Sequence, residues 1–523
     1  MVFLQAGYVW LFDWFPTQDG PSHVDNAIIL LKLLSGPTSI LNDYYQLNPA
    51  TYTNWLGSLL LALLTEIRPY LEAEKTLLWG YLVLAPLSFR YALGGLGRSS
   101  AALAWLIFPL LYSRLFFMGF HSFCYSLIFY FLMIGYWFRH RDDMKPARII
   151  ILTLLALATL LWHLFSLIMA GLIIISTAGG DVAVQARQDR RKGTLRPAKL
   201  LGALARKLAV PGIVLLPSLV LVVVFLSRTQ GGMTYFINPM RLMGHLLLGT
   251  VMINFGWWEL VLSGGYVLVL GLAGWSVFRN RGQEPANGLT VGLALNLAAV
   301  TVLYLVMPDE TAGGGTISFR LALFVTLSAV ILIASRPSTP KAGKLLIYAP
   351  VAVSLLFMIF RYQPLADLNE YLRDYLSGAD RIESGKTILP VSFLSPGHPL
   401  ESALAWRVDF FAHTGGYLAA AKGDVDLRNY EARLDYFPLT YRPNKNPYRF
   451  IGIGGREAPL PPDLDILGYS GRTGGRVDYV LLWCHDPEHN TEPTAQSILA
   501  QLEKGYEVLF TSPKGLMKIY KHR

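Results

Sequence analysis

The chain has 523 residues, 53% hydrophobic and only 15% charged, where a soluble globular protein carries roughly 25% charged residues. That balance excludes a disordered chain, and the two cysteines, Cys124 and Cys484, exclude a disulfide scaffold and a multi-cysteine metal site. The net charge of +10 lies in loops between apolar runs without an aromatic-interleaved basic module, so it reads as positive-inside patterning and not as nucleic-acid binding.

Apolar runs fall near 1–12, 51–66, 76–93, 101–113, 124–138, 149–162, 164–178, 208–227, 257–278, 288–307, 316–335 and 344–361. The first run is short, about 18 Å of helix against a ~30 Å hydrocarbon core. It has no basic n-region and no small-residue cleavage site, so it reads as the remainder of a longer first helix and not as a signal peptide. Basic loops at 139–148, 187–207 and 279–281, and the cations Arg336, Lys341 and Lys344, are expected on the cytoplasmic side. Residues 101–138 and 149–178 then form hairpins, the first turning at 113–121 and the second near His163. Run 51–66 is the one expected not to cross fully, which leaves about eleven crossings and an external C-terminus.

The apolar character ends near Arg361. We expect a transmembrane domain over 1–363, with a first external loop at 13–50, and an external α/β domain over 364–523. Within the latter, 365–377 and 495–504 have helical spacing; 386–393 (KTILPVSF), 476–483 (RVDYVLLW), 506–511 and 516–520 read as strands, the last two around the turn 512–515. The fold class is therefore an α-helical polytopic membrane protein with a C-terminal external α/β domain.

The first loop holds the densest chemistry. Residues 13–25, DWFPTQDGPSHVD, lead into the amphipathic stretch 27–34, with Pro21 in the first turn of a helix and Asp19 or Ser22 placed to cap it. A capping Asp in a solvated turn is the plain account of Asp19. The functional account is a carboxylate at the membrane face, meeting a hydroxyl or a metal.

The order of short first helix, long external loop opening on an Asp, amphipathic helix, many apolar runs and external C-terminal domain resembles the GT-C glycosyltransferases. The segments PTQDGPSH (16–23) and NDYYQLNP (42–49) look like the first external loop of bacterial members. The chain has neither an Asp-Glu pair in that loop nor a WWDYG-type motif. The resemblance implies an enzyme of the bacterial inner membrane and cell envelope. It would move a sugar from a polyprenyl-phosphate-linked lipid donor to an external glycan, lipid or protein acceptor, with Asp19 as the matching position for the catalytic base.

Glycosyl transfer needs a base near the acceptor oxygen and positive charge or a metal on the leaving phosphate. Asp19 is the first candidate, with His23, Asp25 and Asp43 as further loop candidates. Asp19, His23 and Asp25 are also a candidate set for a divalent metal ion, against a simple hydrogen-bonded loop. For the phosphate, Arg320 follows a triple-glycine turn (313–315) at a helix start, and Arg241 and Arg114 stand behind it. A snorkelling Arg at the interface is the alternative for Arg320. His121 and His163, in apolar surroundings, are functional candidates or neutral structural histidines. The rival functions are a transporter or flippase and a non-catalytic envelope assembly subunit.

Overall fold

A computed structural model describes residues 1–36, 39–228, 234–279, 287–311, 314–336, 340–395, 397–404, 407–434, 436–453 and 461–523. Asn280 and Arg281 of one basic loop and Gly313 of the glycine turn lie outside the described residues. The chain is an α-helical integral membrane protein with a small C-terminal sheet. Among the described residues eight helices are long and apolar enough to cross a membrane, by length and composition. They begin at Tyr70, His121, Leu164, Pro197, Trp258, Gly288, Ile317 and Pro340. Four shorter apolar helices, Val2–Leu11, Trp55–Ile67, Arg98–Leu111 and Pro146–Trp162, take up the remaining apolar runs. The helix at Trp55–Ile67 has only 13 residues, in keeping with the run expected not to cross fully.

The chain divides into two compact units, each made of separate stretches of sequence. One unit comprises Met1–Ala6, Gly80–Phe116 and Phe120–Phe360; the other comprises Gly7–Trp79, Phe117–Gly119 and Arg361–Arg523.

In the first unit small residues set the closest helix approach. A Cβ on Gly292 would lie 2.3 Å from Thr177 Cα, and one on Gly180 would lie 2.2 Å from Gly288 O. Only glycine lets Leu164–Arg191 and Gly288–Val306 pack at that distance, the usual device where lipid offers no hydrophobic drive between helices. Asn296 Nδ2 donates to Ser328 Oγ at 3.0 Å, satisfying a buried polar pair between helices. At the basic loops Asp181 accepts from Arg141 and, at 3.0 Å, from Lys207 Nζ. The chain breaks at His163, which is extended and caps the next helix by accepting from Phe165 N at 3.1 Å.

In the second unit, seven strands occur among the described residues. They are β1 Tyr45–Leu47, β2 Thr387–Ser392, β3 Val425–Asp426, β4 Leu439–Tyr441, β5 Tyr479–Trp483, β6 Tyr506–Thr511 and β7 Met517–His522. Five form a sheet in the order β3-β2-β5-β7-β6. β2 runs parallel to β3 and β5, and β7 runs antiparallel to β5 and β6. β5 is buried along its whole length, which is why it reads as an unbroken apolar run. β1 pairs antiparallel with β4, Tyr45 opposite Tyr441, so the first loop is a structural part of the C-terminal region. Asn369 adds to that tie, donating to Trp14 O at 2.8 Å and accepting from Trp14 N at 3.0 Å.

Candidate functional site

Asp19 stands at the N-cap of the helix Gly20–Ser35, yet its side chain makes no capping hydrogen bond. Its backbone is already helical there (φ −94°, ψ −9°), so the carboxylate turns away from the helix amides. It is only 4% exposed. Oδ1 accepts from Gln18 Nε2 at 3.1 Å and lies 3.7 Å from His413 Nε2, and Tyr430 hydrogen-bonds the same carboxyl. Burial pushes the Asp19 carboxyl up to about 6, against the His23 charge and the Gln18 and Tyr430 hydrogen bonds, which pull it down.

Two backbone hydrogen bonds and one side-chain contact hold this loop to residues 117–119. Gln18 N donates to Phe117 O at 2.9 Å and Asp19 N to Met118 O at 3.2 Å. His23 Nε2 lies 2.8 Å from Gly119 O. Gly119 has φ +80°, and a Cβ there would sit 2.8 Å from Asp19 N. Gly119→Ala is therefore expected to displace Asp19 and lower stability by about 1 kcal/mol or more. A lower melting temperature in detergent together with reduced transfer checks this, and an unchanged pair of values contradicts it.

His23 follows one turn later, its backbone N–H donating to Asp19 O at 3.0 Å. Its Nδ1 lies 2.8 Å from Glu431 Oε1. Both ring nitrogens thus face acceptors, a carboxylate and a carbonyl, and only the doubly protonated ring can donate to both. Burial alone would lower the imidazole, but Glu431, then Asp19 and the Gly119 carbonyl, push it up to about 9.

Asp25, 2% exposed, faces a different environment. Its carboxyl is raised well above the usual range by burial and by Asp426, Glu431 and Asp424. Asn429 Nδ2 reaches it at 3.5 Å. Burial likewise raises Asp424 and Asp426 to about 6. Within the trio Asp19, His23 and Asp25, the His23 ring nitrogens lie against Glu431 Oε1 and Gly119 O, each at 2.8 Å. Among the described residues no group of three His, Cys, Asp or Glu side chains is arranged to hold a metal ion.

Asp43 is exposed on the short turn Leu41–Tyr44. It lines a polar cleft of about 620 Å³ with Tyr44, Arg442, Lys445 and Arg476, whose lining does not include Asp19, His23 or Asp25.

The first unit gathers most of the remaining candidates. The Arg320 guanidinium lies 4.9 Å from the Phe120 ring centre and 5.8 Å from that of Phe123, and Nη1 donates to Gly315 O at 3.0 Å. The Phe123 ring meets His163 edge-on at 5.3 Å. Arg114 lies over Phe319 at 4.5 Å. His121 is buried at the start of the helix His121–His140. Arg241 is exposed on Pro239–Leu247 and joins none of these contacts. The helix start expected to offer amides to a phosphate is partly taken, because Asp309 Oδ1 accepts from Ser318 N at 3.0 Å and from the Ser318 hydroxyl.

Sequence reasoning did not single out His413, Tyr430, Glu431 or Glu74. Glu74 is buried, accepting from Thr17 Oγ1 at 3.2 Å and Tyr417 hydroxyl at 2.5 Å beside Gly20. The run DVDLRNYE (424–431) was the available signal, with three acids and an Arg in eight residues of an otherwise mixed domain.

No family model and no curated protein matches the chain. Among solved structures it is similar to ArnT from Cupriavidus metallidurans in the apo state, with 12% identity and a TM-score of 0.41 over 99% of this chain and 96% of that one. The same protein bound to undecaprenyl phosphate gives 12% identity and a TM-score of 0.42 over the same shares.

Proposed function

We propose that the chain is a membrane glycosyltransferase that moves a sugar from a polyprenyl-phosphate-linked donor to an acceptor outside the cytoplasm, with Asp19 as its general base. The observation that carries this is a buried carboxylate at a helix start that caps nothing, its carboxyl pushed by burial up to about 6, closer to the range in which a base works best. In the step, Asp19 takes the proton of the acceptor hydroxyl as that oxygen bonds to the anomeric carbon. The anomeric carbon–oxygen bond to phosphate breaks, and the polyprenyl phosphate leaves with the electron pair. The donor class follows from the likeness of the first loop to GT-C loops, and Arg320 is the proposed cation for its phosphate.

The test is transfer of radiolabel from a panel of polyprenyl-phosphate sugars to membrane extract by the purified protein. Label retained on every lipid, with a folded protein, rejects the proposal. We further propose an external C-terminal region with 187–207 cytoplasmic. Protease added to sealed right-side-out vesicles is expected to degrade residues beyond 365 and spare the basic loop. Full protection of the C-terminal region contradicts that orientation.

A further inference from the structure

His23 gains nothing as a neutral ring. A neutral imidazole has one donor and one acceptor, so placing it between the Glu431 carboxylate at 2.8 Å and the Gly119 carbonyl at 2.8 Å would set a lone pair against one of two oxygens. The side chains of His23 and Glu431 are 14% and 1% exposed, so water does little to relieve such a clash. The same histidine sits one helical turn after Asp19, tied to it by the backbone bond from His23 N to Asp19 O.

We propose that Glu431 is a positioning residue acting on Asp19 through His23, the Glu431–His23–Gly119 bridge holding a positive imidazolium beside the base. The proposal rests on the role of Asp19 given above. Its physical content is a fixed local charge. A buried carboxylate in an apolar chain tends to stay protonated, and a nearby cation keeps it ionised. Glu431 supplies the charge that makes the imidazolium permanent, and the Gly119 carbonyl fixes where it points. Removing Glu431 therefore affects Asp19 indirectly, by allowing His23 to become neutral.

Other titratable and charged groups face this pair among the described residues, and of these the Tyr430 hydrogen bond also lowers the Asp19 carboxyl. On the helix Gly20–Ser35 there is Asp25, raised by burial and by neighbouring acids. From residues 413–431 come Arg428, Tyr430, Asp424, Asp426 and His413, the last pushed down to about 3 by burial, Arg428 and His23, and so neutral. Glu74 faces His23 from the helix Tyr70–Gly94. His23 is the first-ranking charge that lowers the Asp19 carboxyl, and Glu431 itself acts on Asp19 more weakly and in the opposite sense.

The experiment is the pH profile of transfer for wild type, Glu431→Gln, Glu431→Asp and His23→Gln. The acid limb of Glu431→Gln and of His23→Gln is expected to move up by about one pH unit, with transfer below the limb falling up to about tenfold. Glu431→Asp, which keeps the charge, is expected to return part of the shift. In the unaltered protein, ¹⁵N NMR of labelled histidine, assigned with His23→Gln, is expected to show His23 as an imidazolium at pH 7.5. A neutral His23 at that pH, or a Glu431→Gln limb coincident with wild type, overturns the proposal. The NMR arm needs only the unaltered protein and a folded His23→Gln, so it holds even if Glu431→Gln fails to fold. Failure of the base assignment is read separately, from an active Asp19→Asn protein.

Discussion

Asp19→Asn is expected to keep the fold and to slow transfer by a factor of ~10² or more, the usual size of general acid–base assistance. Asparagine has the same shape, and the carboxylate makes no capping bond whose loss would unravel the helix start. What the substitution removes is the ability to accept a proton in a site only 4% exposed. The wild-type profile carries the matching signature. Burial raises the Asp19 carboxyl to about 6, so the base form is lost as pH falls through that value. Transfer should then decline about tenfold per pH unit below the limb. Asp13→Asn is a control: Asp13 is exposed and paired with Arg373 Nη2 at 2.9 Å, a surface ion pair, so its loss is expected to be mild. Near-normal turnover in Asp19→Asn, or a profile flat from pH 5 to 7, would remove Asp19 from the chemistry.

Arg320 is the second large effect. Its guanidinium rests against Phe120 and Phe123 and donates to Gly315 O at 3.0 Å, a planar group held by stacking and by one carbonyl. Stacking and bidentate phosphate recognition both use the flat fork of arginine, which the point charge of lysine reproduces poorly. Arg320→Lys is expected to raise the donor concentration needed for half-maximal transfer by about tenfold, and Arg320→Ala by about 10². A snorkelling cation would tolerate lysine almost freely, since both residues reach the interface. The check is donor-concentration dependence for the three proteins in one detergent, with melting temperatures alongside. Equal donor dependence of the lysine and wild-type proteins would leave Arg114, over Phe319, as the next cation to test.

The helices of this protein were legible in its sequence because hydropathy is local. Each apolar run became a helix, down to the 13-residue Trp55–Ile67 and the break at His163, since the free energy of burying a segment in lipid depends on that segment alone. The strands 387–392 and 479–483 were legible for the same reason, being apolar runs too short for a membrane helix. Asp19, His23 and Asp25 could be singled out by residue type and spacing, but their surroundings could not. Pairing of Tyr45–Leu47 with Leu439–Tyr441, the approach of Glu431 to His23 and of His413 to Asp19 join residues hundreds apart in the chain. Such pairings are set by the fold as a whole and leave no periodicity in either partner. Nor could spacing tell that the Asp at the cap position declines to cap, since that depends on a backbone angle and on the turn Phe117–Gly119. The sequence by itself determined which segments are helices and that the chain enters a membrane. Tertiary structure alone decided which carboxylates are buried, which histidine lies between a carboxyl group and a carbonyl and which arginines lie over aromatic rings, because burial and non-local contacts, not composition, set those surroundings.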